Sequence, residues 1–309
     1  MNTTTSYVGR FAPSPTGPLH FGSLLAAAAS YLQARSNAGR WLVRIEDIDP
    51  PRAQAGATAL ILKALEIYGF EWDGEVTYQS ANRDRHLAVV EELIHRKLAY
   101  RCGCSRRDLA EVPAGPLGKV YPGNCRDGTD AREYAIRVLT DNRQLDFVDV
   151  LQGRQAQRLE SESGDFVILR RDGLIAYNLA VVIDDADQGI SEVVRGIDLL
   201  DSTPRHIYLQ QLLNFDTPDY FHIPVAENRL GQKLSKLTGA PGLPLAEPRP
   251  QLLAALRSLG QATPAELANS SIADIWRFAI SQWNPQVLAG LRSLPCDADT
   301  LAAPENGLS

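Results

Sequence analysis

Two short segments of this 309-residue chain carry side chains suited to holding phosphate. The first, Pro13-Ser-Pro-Thr-Gly-Pro-Leu-His20-Phe-Gly-Ser23, joins an apolar run to an Ala/Leu-rich one, so backbone N–H groups and the positive end of a helix converge there. His20 opens the helix and can donate to a phosphate oxygen, Gly22 lets a nucleotide lie against the backbone, and Ser23 follows in the first turn. The competing reading is a proline-rich connection in which His20 is only a polar cap. The second segment, Gly231-Gln-Lys233-Leu-Ser-Lys236, sets two lysines three apart around a serine, bounded by glycines and Pro241; loops of this kind close over a triphosphate. Neither a Walker A loop nor a G-x-G-x-x-G fingerprint occurs, so P-loop kinases, P-loop ATPases and dinucleotide dehydrogenases lose their main support.

A third group is softer. Cys102-Gly-Cys104 and Cys125 offer three thiolates of the kind that a tetrahedral metal accepts, and one more ligand is needed. His95 is the nearest histidine but falls in a predicted helix; Tyr121, four residues before Cys125, competes with it. Three reduced thiols in an apolar insert are the alternative. Arg101, Arg106, Arg107, Lys119 and Arg126 surround the cysteines and form a candidate phosphate-pairing patch. The patch must act locally, because 31 basic against 37 acidic residues leave a net charge of −6 that repels a polyanion as a whole.

The elements that must position these residues alternate. Tyr7–Phe11 reads as a strand, His20–Arg35 as a helix stopped near Asn37–Gly39, Trp41–Ile45 as a strand and Arg52–Tyr68 as a helix, a rhythm that favours a parallel sheet. Ser80 is expected to cap a helix reaching about Leu98. From Tyr100 to Asp130 Gly, Pro, Cys and Arg break the rhythm, and strand-like runs at Glu133–Val138, Leu145–Val150 and Asp165–Leu169 fit an insertion better than the parent sheet. The parent sheet is expected to resume at Leu179–Ile183. Past Lys236 the pattern is helical, with Thr263, Pro264 and Glu266 as a capping box, and Pro295–Ser309 reads as a frayed tail. No apolar stretch approaches the roughly 20 residues that span a bilayer and no secretory leader is visible, so a cytoplasmic protein without a membrane partner is expected.

Phe11-Ala-Pro-Ser-Pro-Thr-Gly with His20-Phe-Gly-Ser23 resembles the first signature of class I aminoacyl-tRNA synthetases, and Lys233-Leu-Ser-Lys236 resembles the second, in the expected order. Arg44-Ile-Glu46-Asp-Ile-Asp49, Asp165-Phe-Val-Ile-Leu-Arg170, Tyr177-Asn-Leu-Ala, Asp184-Asp185 and Val194-Arg195-Gly-Ile-Asp198 are similar to glutamyl-tRNA synthetases, over about residues 6 to 240. The turn Ala12-Pro-Ser-Pro-Thr-Gly is of the glutamate rather than the glutamine type. The chain ends after one short helical region where a full glutamyl-tRNA synthetase continues into an anticodon-binding domain. With the three-cysteine insertion, this resembles the truncated branch of the family, which attaches glutamate to the queuosine base in the anticodon loop of tRNA(Asp).

The resemblance implies an α/β fold: a Rossmann-like parallel sheet in residues 1–98 and 179–235, an inserted zinc-containing, acceptor-contacting subdomain in 99–178, and a C-terminal helical domain in 236–309. It implies a ligase that joins L-glutamate to the α-phosphate of ATP and passes the acyl group to the cyclopentene diol of queuosine. A truncated enzyme charging the 3′ end of tRNA(Glu) is the alternative. Arg10 and Arg195 are expected on the glutamate carboxylates, in an order left open, with Glu46 on the ammonium and Ser14 and Tyr177 adding hydroxyls. His20 and Lys236 are expected to be catalytic, and Gly22, Ser23 and Lys233 to complete the ATP site. Leu234 replaces the usual methionine and Ser23 a second histidine. Cys102, Cys104, Tyr121 and Cys125 are the implied ligands of one structural Zn²⁺, Mg²⁺ accompanies ATP, and a monomer is expected.

Overall fold

The computed structural model describes residues 6–227 and 241–296. Strand β1 (Val8–Phe11) leads through the proline turn into helix α1 (Phe21–Ser36), and β2 (Arg40–Ile45) returns parallel to β1. Helix α2 (Ala57–Ile67) then precedes the short strand β3 (Thr77–Tyr78), which pairs parallel with β2. Ala27, Ala28 and Ala29 are fully buried on α1, and their small side chains let it pack closely against β1, β2 and the later elements. Ser80 does not cap a helix: its N–H and hydroxyl donate to Asp47, and helix α3 begins only at Arg83, ending at His95.

The middle of the chain forms strands β4 (Ala99–Cys102), β5 (Ala114–Gly115), β6 (Gly118–Lys119), β7 (Ala135–Val138), β8 (Gln144–Asp149), β9 (Gly153–Arg158), a single turn α4 (Leu159–Glu162) and β10 (Val167–Leu169). The antiparallel sheet β10-β7-β4 stands apart, but β8 does not stay with it. The run expected to lie away from the parent sheet instead joins a four-stranded sheet in the order β11-β12-β8-β9, through Tyr220 opposite Asp149.

Leu179–Ile183, expected as a returning strand, lies inside helix α5 (Tyr177–Asp187). All five residues are buried, and a helix covered on every side shows no polar face, so its apolar run is indistinguishable from that of a buried strand. The parent sheet resumes with β11 (Glu192–Gly196), followed by α6 (Thr203–Leu213), β12 (Asp219–Ile223), parallel to β11, and β13 (Val225–Glu227). Strand β11 runs beside β1, where the Ser191 N–H donates to the Val8 carbonyl at 2.9 Å.

Two more helices, α7 (Pro248–Ser258) and α8 (Ile272–Gln282), and strand β14 (Ser293–Pro295), paired with β13, close the described chain. The expected capping box at Thr263 is a 3₁₀ turn, Ala265–Asn269, without a side-chain cap; Ser271 caps α8 by accepting from the Asp274 N–H. Trp276 of α8 enters the main core against Tyr31 and Phe70, each with centroids 4.9 Å away, and donates its indole N–H to the Tyr68 carbonyl at 2.8 Å. Among the described residues no helix is long and apolar enough to cross a membrane.

Candidate active site and cysteine corner

Open parallel sheets place ligands beyond the carboxyl ends of their strands, where the chain order reverses. That position here lies beyond β1 and β11, and a cavity of about 420 Å³ opens there, lined by Phe11, Pro13, Ser14, His20, Gly22, Ser23, Gly196 and Asp198, among others. His20 does cap α1: its Nδ1 accepts from the Ser23 N–H at 3.3 Å, which leaves the proton of a neutral ring on Nε2. Capping and phosphate donation are therefore compatible uses of one imidazole. Lys233 and Lys236 lie outside the described residues. The chain on either side of them borders this cavity: Val225 and Ala226 line it, Gly242 bridges to His20, and the Leu243 N–H donates to the Leu19 carbonyl at 2.8 Å.

A second cavity, of about 270 Å³, adjoins the first and shares Ser14 and Thr16 with it; Glu46, Gln79, Arg170 and Tyr177 contribute to its walls. Arg10 and Arg195, only 4% and 5% exposed, lie behind these walls, and both act electrostatically on the Tyr177 hydroxyl. Thus the expected residues Arg10, Ser14, Glu46, Tyr177 and Arg195 gather in one place, next to His20, Gly22 and Ser23.

The charges behind the cavity form a network. Arg10 turns Nε and Nη2 to the Asp185 carboxylate at 3.1 and 3.3 Å, and Arg44 reaches the same carboxylate at 2.7 Å. Burial opposes ionisation of Asp185, but the two guanidiniums outweigh it and hold its carboxyl below the ordinary value. Glu46 goes the other way: burial pushes it up to about 7 against the pull of Arg44 and Arg10. Its Oε1 has Arg44 Nη2 at 3.5 Å, yet finds no hydrogen-bond partner among the described residues, which suits it to accept from a ligand's ammonium. Asp184, adjacent in sequence, is consumed elsewhere by Gln79, Asn82 and His86 at 2.7–2.8 Å.

Arg195 is held by Nε–H to His222 Nε2 at 2.9 Å, Nη1 to His206 Nδ1 at 3.2 Å, and Nη2 to Thr203 Oγ1 and the Leu199 carbonyl at 2.8 and 3.2 Å. None of Arg44, Asp185, Thr203, His206 or His222 was assigned a site role from the sequence. For Arg44 and Asp185 a signal existed, since each is a charge embedded in an apolar run and needs a buried partner. The two histidines carry no such local mark.

Within the insertion Cys102, Cys104 and Cys125 bring their sulfurs within 4.8 Å of one another. The Tyr121 hydroxyl lies 3.3 Å from Cys102 Sγ and 3.5 Å from Cys104 Sγ, whereas His95 sits exposed at the end of α3, outside the cluster. Gly164, at φ +66°, packs its backbone on Tyr121, where a Cβ would lie 2.4 Å from the Tyr121 nitrogen. Burial pushes the Cys125 thiol up, but hydrogen bonds from Tyr121, the Gly103 backbone and the other thiols prevail and bring it to about 7. In a tetrahedral thiolate site sulfurs stand about 3.8 Å apart. Cys104 and Cys125, at 3.5 Å, are close to that spacing, so the donor set fits one metal ion.

The basic patch around this corner is only partly available. Arg101, Arg106 and Arg107 are exposed, whereas Arg126 turns inward to Asp165 at 2.7 and 2.8 Å and to Glu160 at 2.9 Å. Asp165 also receives the Thr140 N–H and hydroxyl and the Tyr100 hydroxyl. Arg126 is thus a structural tie beside Cys125 and leaves the expected nucleic-acid patch.

Comparison with known proteins agrees with this geometry. Residues 7–240 match the family described as tRNA synthetases class I (E and Q), catalytic domain. The glutamyl-Q tRNA(Asp) synthetase of Pseudomonas aeruginosa is 53% identical over 293 residues, covering 94% of this chain and 98% of that protein. Its counterpart from Pseudomonas fluorescens is 50% identical over 295 residues, covering 95% of this chain and 97% of the relative. The crystal structure of a glutamate tRNA ligase from Elizabethkingia meningosepticum shares the fold, with a TM-score of 0.80 at 23% identity over 96% of this chain and 68% of that one.

Proposed function

The chain belongs to the class I tRNA synthetases of the glutamate and glutamine type, and within them to the glutamyl-Q tRNA(Asp) synthetases; from that premise we propose how its residues divide the work. It is a ligase that activates L-glutamate with ATP and transfers it to the queuosine of tRNA(Asp). In the first step a glutamate α-carboxylate oxygen bonds to the α-phosphorus of ATP and pyrophosphate leaves. In the second, a hydroxyl of the queuosine cyclopentene diol bonds to the acyl carbon, loses its proton, and AMP leaves. The nucleophile of the first step is already an anion, so alignment and charge stabilisation carry the catalysis rather than a general base.

The observation that supports this division best is the pair of adjoining cavities with Ser14 and Thr16 in common. ATP takes the His20, Gly22 and Ser23 side, with Lys233 and Lys236 supplying positive charge to the phosphates. Glutamate takes the side of Glu46 and Tyr177, its ammonium on Glu46 and its carboxylates toward Arg10 and Arg195. The shared wall then sits where carboxylate and α-phosphate must meet. Mg²⁺ supplies charge neutralisation when it accompanies the nucleotide.

Cys102, Cys104, Tyr121 and Cys125 would hold one Zn²⁺, whose part is structural because the corner is too small to bury a core of its own. Residues 1–98 and 179–235 then form the catalytic unit, 99–178 the acceptor-contacting insertion, although β8 is hydrogen-bonded to the catalytic sheet, and 236–309 a helical end domain. The enzyme acts as a cytoplasmic monomer. Labelled glutamate and ATP offered to tRNA with and without queuosine test the acceptor: label is expected in the anticodon loop of the modified tRNA(Asp) alone. Label at the 3′ end of tRNA(Glu) would overturn it.

A further inference from the structure

Arg195 and His222 are register partners on the adjacent parallel strands β11 and β12, and Asp149 closes the next strand, β8. The three side chains form a row across the sheet: Asp149 Oδ2 lies 2.5 Å from His222 Nδ1, and His222 Nε2 lies 2.9 Å from Arg195 Nε. Asp149 and His222 are 1% and 0% exposed. A guanidinium has no acceptor and a carboxylate no donor, so the hydrogen-bond directions are forced. His222 donates from Nδ1 to Asp149 and accepts at Nε2 from Arg195.

On the other side of Arg195 the arrangement is reversed. His206, on α6, meets Arg195 Nη1 with Nδ1 at 3.2 Å and the Asn178 Oδ1 with Nε2 at 3.0 Å. It therefore accepts at Nδ1 and donates from Nε2, the opposite tautomer. Both rings must stay neutral to accept. Burial and Arg195 hold His206 well below its ordinary value, and burial brings His222 to about 4 despite Asp149.

Among the described residues, Thr203 and the Leu199 carbonyl take the Nη2 donors, so four of the five guanidinium N–H groups are committed to protein. One N–H, on Nη1, is left to meet a ligand, and its direction is set by the two imidazoles. We propose that His222, oriented by Asp149, and His206 are positioning residues that clamp Arg195 between opposite tautomers, so that it meets a glutamate carboxylate through a single, directed hydrogen bond. This rests on the reading that Arg195 binds glutamate.

The reversed tautomers give a test that a merely structural role would not satisfy. A glutamine places its amide near the Nε2 position of histidine, and an asparagine near the Nδ1 position. His222→Gln and His206→Asn can keep an acceptor for Arg195, while His222→Asn and His206→Gln cannot. The full chain and each variant would be compared by melting temperature and by the KM values for glutamate and ATP in glutamate-dependent exchange of labelled pyrophosphate into ATP.

The expected result is a crossed pattern. His222→Asn and His206→Gln raise the glutamate KM about 10- to 100-fold, with the ATP KM changed less than about twofold, and the other two variants stay within about threefold of the parent. If only one histidine yields folded variants, its own Asn and Gln pair still decides. Equal effects of Asn and Gln at a position, or ATP and glutamate KM rising together, would overturn the proposal. Arg195→Ala is the control: if it leaves the glutamate KM unchanged, the pocket assignment fails and the clamp with it. If it raises the KM while all four histidine variants do not, the clamp alone fails.

Discussion

The charged pocket behind Tyr177 and the cysteine corner at Tyr121 both gather polar groups away from water, but they satisfy them differently. In the pocket the protein supplies both signs: Arg10 and Arg44 face Asp185, and two imidazoles and a hydroxyl surround Arg195. Among the described residues Glu46 is the pocket carboxylate that keeps a buried oxygen without a hydrogen bond, and Gln79 Oε1 in the same wall is also unpartnered. In the corner the candidate donors to a metal all become anionic on losing a proton, three thiols and a phenol turned toward each other. A pocket built from compensated charges is held in shape before a ligand arrives, because each guanidinium is fixed by several partners. A cluster of like ligands needs a cation to become a fastening.

This contrast can be broken by mutation. Arg195→Ala should have the largest effect, since it leaves a substrate carboxylate without its partner in a buried site, a loss of about 2–5 kcal/mol in glutamate binding. Titration calorimetry with L-glutamate would read it, and an unaltered affinity would remove Arg195 from the pocket. Lys236→Ala should slow adenylate formation about 10²–10³-fold with a smaller effect on ATP KM, if that lysine meets charge that develops in the transition state. A loss confined to KM would contradict that role.

A smaller effect follows from Glu46. Its carboxyl is raised to about 7, so it is protonated below that pH and must ionise to receive an ammonium. The glutamate KM should therefore climb as pH falls below about 7, by up to roughly tenfold per unit, and Glu46→Gln should flatten this dependence. The sign for stability is opposite. A carboxyl raised on folding favours the folded chain fully below its unfolded value near 4.5, and that contribution is lost as pH rises through about 7. A glutamate KM that does not change with pH between about 6 and about 8, one unit either side of 7, would refute the ammonium assignment.

The smallest effect is expected at the corner. Stripping metal with a chelator, or Cys102→Ser, should expose the segment between Cys102 and Cys125 to protease, while the glutamate KM moves by less than about twofold because the thiols and the Tyr121 hydroxyl bond to one another and not to Arg10, Glu46, Tyr177 or Arg195. A glutamate KM that follows metal content would show the two regions to be coupled rather than independently satisfied.

Much of the pocket was legible in the chain because its parts lie at the ends of recognisable elements. Glu46 directly follows an apolar strand, His20 caps a helix after a proline turn, and Tyr177 opens α5. The elements themselves were less legible where burial was complete, as at Leu179–Ile183, where a two-residue and a 3.6-residue period look alike. Ser80 and Thr263 resembled helix caps; Asp47 claimed the first, and the helix lay further on for the second. The arginine patch misled in the same way, since nothing local marks Arg126 as the partner of Asp165, 39 residues away.

By itself the sequence determined which chemistry was possible: an anion seat at a helix start, a glutamate-type turn, three thiols close enough in the chain to meet, and no P-loop. These follow from residue type and short spacing, which act over a turn or two of backbone. Tertiary structure alone decided how each charge is used. Arg195 and His222 become neighbours only because β11 and β12 run side by side, Asp149 reaches them only because β8 joins that sheet, and Asp184 and Asp185 serve different networks although they are consecutive. Partners of buried charges come from distant parts of the chain, because desolvation must be compensated by whatever the fold brings into contact, and no local pattern encodes that choice.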